Sequence, residues 1–216
     1  MDDDGEPSPW DCCKSMIECA WMCVQFWTQF SITFILLWLL YRPDRFHPRI
    51  DSAVLAALHL TAAAPPPPAN ATEDQPSSRQ QLVYDLAVDL SFRNAHRRLS
   101  IRYLDVGATA FYGDTKLGPA DDALPLFRQG PKNTTVLHPA FRGAVAVDGG
   151  AAAELEREAA EGTVHVKVSV ALTLMYKVWF VKEVYFYNYD CWLWFPPPAN
   201  ATAPAVFDAG TQCWAV

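Results

Sequence analysis

The sequence predicts a mainly β protein: one transmembrane helix, then an antiparallel β-sandwich with one short helix. Three observations carry this. Cys19 to Tyr41 (CAWMCVQFWTQFSITFILLWLLY) contains no Asp, Glu, Lys, Arg or Pro. Leu82–Arg93 and Thr163–Tyr176 alternate strictly between apolar and polar residues, the period of a half-buried strand. In the body of the chain only Ala151–Ala160 (AAAELEREAA) has helix-forming composition.

The apolar run comes first. As a helix rising 1.5 Å per residue it reaches about 34 Å, enough to cross a hydrocarbon core of about 30 Å. Its Leu, Ile, Phe and Val side chains each favour insertion by about 0.3–0.6 kcal/mol, while Gln25, Thr28, Gln29, Ser31 and Thr33 oppose it. A buried core helix of this length would carry a polar face. A cleaved signal would have a shorter apolar region and small residues at its end, and Trp38–Arg42 offers none. The reading is a retained single span. It divides the chain into an acidic, Cys-containing head (1–18), the span (19–41), a linker with a first strand and a Pro-rich loop (42–79), and the sandwich (80–216).

Asp2, Asp3, Asp4 and Glu6 make the head acidic, with Pro7 and Pro9 opposing helix, so it is expected to be disordered. Cys12, Cys13, Cys19 and Cys23 match no structural zinc spacing, and no metal is expected. Cys12 and Cys13 sit where juxtamembrane cysteines are palmitoylated; the alternative is plain apolar cysteine. The net charge of −7 argues against nucleic acid as a partner. Orientation signals conflict. Only Lys14 precedes the span closely, whereas Arg42, Arg45 and Arg49 follow it, which favours a cytoplasmic body. Three glycosylation sequons, at Asn70, Asn133 and Asn200, favour a body on the far side, although two of them come from one repeated string, PPPANAT.

After Arg42-Pro43 ends the helix, Ile50, Val54, Leu58 and Leu60 alternate weakly along a first strand. Pro65–Pro68 and Asn70–Ser78 form an extended loop. Leu82–Arg93 turns Asp85, Asp89, Ser91 and Arg93 to solvent. Leu99–Tyr112 is the next strand, with Gly107 as an expected bulge, and Gly113-Asp114 a turn. Asn133–Asp148 reads as one long strand that Gly149-Gly150 breaks. Ala151–Ala160 is a helix that Gly162 stops. Thr163–Tyr176 is a strand, and Val178–Phe195 supplies one or two more. About seven strands make a sandwich the best architecture. Trp192, Trp194, Phe195 and Trp214 are assigned to packing, in the core or beside the membrane, rather than to a ligand platform.

No catalytic constellation emerges. The histidines at 47, 59, 96, 138 and 165 are scattered, no Gly-rich phosphate loop or hydrolase motif occurs, and Asp85 and Asp89 read as a solvated edge. The expectation is no enzyme and no cofactor. Cys191 and Cys213, alone in the body, should pair in an oxidising compartment, stabilising it by about 3 kcal/mol. Alternatively Cys213-Trp214-Ala215-Val216 loosely fits a prenylation box, which demands a cytosolic terminus. In the span, Gln25, Gln29 and Thr33 fall four apart on one stripe, a candidate surface for self-association or pairing with a related helix. Simple bonding of each residue to its own backbone is the alternative.

Several stretches resemble one family. They are the Cys-rich segment before a single span, Leu40-Tyr41-Arg42-Pro43 after it, Leu82–Asn94 (LVYDLAVDLSFRN) leading into IRYLDVGATAFYGDTKLG, and the spaced Cys191 and Cys213 at the end. Phe127–Leu137 (FRQGPKNTTVL) comes closest, supplying Phe127, Gln129, Gly130, Lys132, Asn133, Thr134 and Thr135 to the pattern F-Y-Q-G-H-K-N-T-T. In this order they resemble the plant harpin-induced, non-race-specific-disease-resistance-like proteins with a late embryogenesis abundant group 2 domain. Asn94-Ala95-His96 replaces the family's N-P-N, the head is acidic, and no hydrophobic tail follows Cys213, so a lipid-anchored end does not carry over.

The resemblance implies an immunoglobulin- or fibronectin-like sandwich at the plasma membrane, facing the cell wall, with a role in defence or stress signalling. The function expected is non-enzymatic binding or scaffolding. Its partners would be the lipid bilayer, membrane or cell-wall proteins, and a second copy of the chain. The first alternative is a dehydration-protective membrane protein without a specific partner. A cytosol-facing prenylated adaptor is the second.

Overall fold

The structure is a computed structural model that describes residues 9–41, 47–62, 80–178, 181–197 and 204–216. It falls into two compact units, Met1–Pro43 and Asp44–Val216.

The first unit contains one helix, α1 (Pro9–Tyr41), which starts ten residues before the apolar run. Pro9 does not block it, because a proline in the first helical position lacks only an N–H that has no intrahelical partner anyway. The stretch Glu18–Leu37 has a mean hydropathy of 1.4 and no buried residue, so it is long and apolar enough to cross a membrane.

The second unit is mainly β. Its strands are β1 (Arg49–Ala62), β2 (Gln80–Arg93), β3 (Ile101–Tyr112), β4 (Thr115–Pro119), β5 (Arg128–Gln129), β6 (Thr134–Leu137) and β7 (Ala140–Val147). After helix α2 (Gly149–Glu161) come β8 (Val164–Val178), β9 (Val181–Phe195), β10 (Ala205–Phe207), β11 (Thr211–Gln212) and β12 (Trp214–Ala215). Two six-stranded antiparallel sheets result. One runs β10-β1-β2-β6, with β11 on β1 and β7 on β2; the other runs β12-β9-β8-β3-β4, with β5 on β3.

The two alternating segments bury the apolar side that their pattern predicts, but Ser91, expected at the surface, is buried too, its hydroxyl donating to Arg49 O at 3.3 Å. Leu82, Leu86, Val88, Leu90 and Phe92 of β2 and Val164, Val166, Val168, Val170, Leu172 and Leu174 of β8 are all buried in one core. Tyr84 crosses that core, and its hydroxyl donates to the carbonyl of Leu117 on the opposite sheet at 2.7 Å. It also passes so close to Gly118 and Gly143 that a Cβ at either would lie 2.8 Å from the phenol oxygen.

Several details differ from the sequence reading. Asn133–Asp148 is not one strand: β6 and β7 both pair with β2 but stop either side of His138-Pro139. Pro139 has no N–H for the ladder, and its carbonyl accepts from Val88 N at 3.0 Å instead. In β1 two register shifts, between Ile50 and Ser52 and between Leu55 and Ala57, change which residues face inward. Ile50, Ala53, Leu55 and Leu58 are therefore buried, and Val54 and Leu60 are not. Gly107 is no bulge; it pairs directly with Ala171, and the irregularity lies between Tyr103 and Asp105. Gly149 and Gly150 open α2 rather than precede it, because Asp148 caps the helix by accepting from Ala151 N at 2.8 Å. Gly162 closes it with φ 85°, a conformation glycine adopts without strain. Val178–Phe195 yields a single strand, β9, in a long hairpin with β8. The short strands β10, β11 and β12 have no counterpart in the sequence reading.

Candidate functional site

The stretch that carries the family resemblance forms a buried polar knot. Gln129 on β5 is completely buried. Its Oε1 accepts from the Tyr103 hydroxyl at 2.9 Å, and its Nε2 donates to Phe92 O at 2.7 Å and to Thr135 Oγ1 at 3.3 Å. Burial raises the Tyr103 phenol well above its ordinary pKa, so it stays a donor and fixes which end of the amide faces it. Asn94, also buried, donates to Leu99 O and Gly130 O at 2.8 and 2.9 Å and accepts from His96 N at 3.0 Å. Its own N–H donates to Asn133 O. Lys132 takes the left-handed conformation, φ 58°, to close the turn. Phe127 stacks on Tyr103 with ring centroids 4.0 Å apart. Phe127, Gln129, Gly130, Lys132, Asn133, Thr134 and Thr135 thus tie β2, β3, β5 and β6 together, an architectural task.

Asn133 is exposed at this turn, its Oδ1 accepting from Thr134 N at 2.9 Å. Asn70 and Asn200 lie outside the described residues. The backbone of Cys12 and Cys13 belongs to α1, and their side chains lie outside the description. Cys191 and Cys213 are joined by a disulfide between β9 and the segment leading into β12, both fully buried. On α1, Gln25, Gln29 and Thr33 are exposed, but the Thr33 hydroxyl donates to Gln29 O at 2.9 Å and that of Thr28 to Val24 O at 2.7 Å. Two residues of that polar group therefore bond their own helix.

Two histidines unremarkable in the sequence acquire carboxylate neighbours. His138 Nδ1 lies 2.6 Å from Asp89 Oδ1, and Asp89 also accepts from Ser52. These hydrogen bonds, that of Ser52 foremost, hold the Asp89 carboxyl below its ordinary value. Asp85 pairs with Arg142 at 3.2 Å, so neither aspartate is merely solvated. His165 Nδ1 lies 2.8 Å from Glu158, which also accepts from the Tyr112 hydroxyl at 3.1 Å. Burial, then the Glu158 charge, raises the Tyr112 phenol.

The aromatic group near the end of the chain divides between the core and the outer face of the second sheet. Of the aromatic group at the end of β9 only Phe195 is core; Trp192, Trp194 and Trp214 are 49%, 47% and 66% exposed. The strand's period of two puts Trp192 and Trp194 on the face opposite Cys191, Leu193 and Phe195. Lys167 lies between Phe111 and Trp192, 4.9 and 5.6 Å from their ring centroids, and 3.5 Å from Asp190.

Toward the other end of the same sheet lies a cleft of about 520 Å³. Arg102, Arg128, Lys177 and Lys182 line it with Ser100, Tyr103, Leu104, Leu126, Phe127 and Met175, and among the described residues no carboxylate does. No motif signals it in the sequence, because the four cations come from four separate strands.

No family model matches the chain. Among curated proteins it is 26% identical over 186 residues to NDR1/HIN1-like protein 3 of Arabidopsis thaliana, covering 85% of this chain and 73% of the relative. It is 26% identical to NDR1/HIN1-like protein 2 over 151 residues and to NDR1/HIN1-like protein 10 over 150 residues, both from the same plant. Those alignments take in 69% and 68% of this chain and span 55% and 59% of the two relatives. A crystal structure of a protein from Archaeoglobus fulgidus aligns with 66% of this chain and 96% of its own at 14% identity, with a TM-score of 0.28, too low to support an argument. The three plant matches, each running over more than two thirds of this chain, are all to NDR1/HIN1-like proteins and support the resemblance that the sequence carries.

Proposed function

We propose that this chain is a single-span protein of the plant plasma membrane whose β-body stands outside the cell and acts by binding, without catalysis, in defence or stress signalling. The observation that carries the reading is α1. Trp21, Phe26, Trp27, Phe30, Phe34, Ile35 and Leu36 are all more than half exposed on it, apolar surface that is untenable in water and at home in lipid. The Cys191–Cys213 bridge supports an extracellular body, since disulfides persist in oxidising compartments. It also occupies the thiol that prenylation would need. The exposed Asn133 sequon points the same way. The role in defence or stress rests on the resemblance to NDR1/HIN1-like proteins.

The test is alkaline carbonate extraction of membranes from cells expressing the full chain, followed by endoglycosidase. The proposal expects the protein in the pellet and a faster-running band after deglycosylation. Release into the supernatant would end the anchored reading, and an unshifted band with Cys213 free to a thiol reagent would end the extracellular one.

A further inference from the structure

We infer that the cleft between β5, β3, β8 and β9 is a binding site for a compact ligand carrying two or more phosphate groups. The register carries the argument. Arg102 is paired directly opposite Arg128, and Lys177 directly opposite Lys182. Like charges in directly opposed positions destabilise a sheet. Here two such pairs open into one cleft, in a chain of net charge −7. Arg49, Arg142, Arg157 and Lys167 each have a carboxylate within ion-pair distance, whereas these four have none among the described residues. Glu183, next to Lys182, is turned to the other side of the sheet, where it pairs with Tyr176 and accepts from Tyr185 at 2.5 Å.

Charge density selects the ligand. Across the sheet the order is β5-β3-β8-β9, so the outermost cations spring from strands about 14 Å apart at the usual spacing of about 4.8 Å. One phosphate leaves most of this charge unmatched; two match it. A phosphate monoester brings a charge of about −1.5 to −2 and three acceptor oxygens, so two of them offset four cations. A carboxylate carries a single charge, so four would be needed where two phosphates suffice. Arginine's planar fork suits bidentate contact with such oxygens, and the lysines serve as point charges. Phe127, held against Tyr103, forms a rigid wall, and Leu126 stands at the rim 65% exposed. A phosphorylated lipid head group and a free polyphosphorylated polyol share this chemistry, and the exposed Leu126 is where they would differ.

The experiment uses the full chain in neutral phosphatidylcholine nanodiscs. Titration with inositol trisphosphate is one arm, and flotation with separate phosphatidylcholine vesicles containing phosphatidylinositol bisphosphate is the other. Binding should weaken steeply with salt, and the double variants Arg102→Gln/Arg128→Gln and Lys177→Gln/Lys182→Gln should each lower affinity by about tenfold or more. Lys116→Gln, on β4 and outside the cleft, should stay within about twofold of wild type, reporting any general charge effect. Both double variants should melt no lower than wild type without ligand, because each relieves a like-charge pair. Equal affinity in both arms with Leu126→Ser neutral identifies a free phosphate ligand. Tighter vesicle binding that Leu126→Ser weakens identifies a lipid. No binding in either arm, binding that the double variants leave unchanged, or a preference for oligogalacturonate over inositol trisphosphate would overturn the assignment.

Discussion

Gln129 has no exposed surface, and its amide is engaged at both the oxygen and the nitrogen. Replacing it by Leu would remove its bonds to the Tyr103 hydroxyl, the Phe92 carbonyl and the Thr135 hydroxyl, at about 0.5–1.5 kcal/mol for each bond lost. Urea denaturation of Gln129→Leu should therefore show a loss of about 2–4 kcal/mol. Asp89 supplies a pH dependence. Its carboxyl is held below the ordinary value by Ser52 and then His138, so the folded protein binds this proton less tightly than the unfolded chain does. The stability it contributes is present above the ordinary carboxylate pKa of about 4 and is lost as pH falls through the lower folded value. Ser52→Ala removes the largest cause. Melting temperature plotted against pH below about 4 should fall less steeply in that variant than in wild type, and identical acid limbs would contradict this.

Among the elements, β2 is pressed closest, with Tyr84 packed between Gly143 and Gly118. Gly143→Ala puts a Cβ against the phenol oxygen at a φ of 158° and should cost about 1–3 kcal/mol. Tyr84→Phe removes that oxygen, so in the Gly143→Ala background it should recover part of the loss, whereas alone it should cost about 1 kcal/mol for the bond to Leu117. At the β9–β12 corner, Cys213→Ser should lower unfolding free energy by about 3 kcal/mol without reductant and by little when both proteins are reduced. The strands that alternate cleanly, β2 and β8, were legible in the sequence because each buries one face along its whole length. β1 was not, since two register shifts move its apolar residues out of phase. The break between β6 and β7 had a visible cause in Pro139, which a reading for alternation passed over. The buried Gln129 looked like any polar motif residue, because what makes it structural is the partner set brought from β2, β3 and β6. Aromatic density near the end of the chain likewise does not say which residues face inward: the two-residue period separates Phe195 in the core from Trp192 and Trp194 on the surface. The facing of Arg102 on Arg128 and of Lys177 on Lys182 is a matter of cross-strand register, which one sequence does not display.

At the scale of the molecule, the chain joins an exposed apolar helix to a β-unit that closes its own core, and the account stands on what that helix does. The proposed topology, with α1 in lipid and the β-unit on the far side, would account for the sequons and the disulfide together. The arginines after the span point the other way, yet long domains translocate largely regardless of flanking charge. The most direct measurement is protease protection in sealed microsomes from cells expressing the full chain with a tag after Val216. The account predicts that protease alone removes at most the head and leaves a tagged, span-plus-body fragment, which disappears only when detergent opens the vesicles. Loss of the tag and digestion of the body in intact vesicles would contradict it.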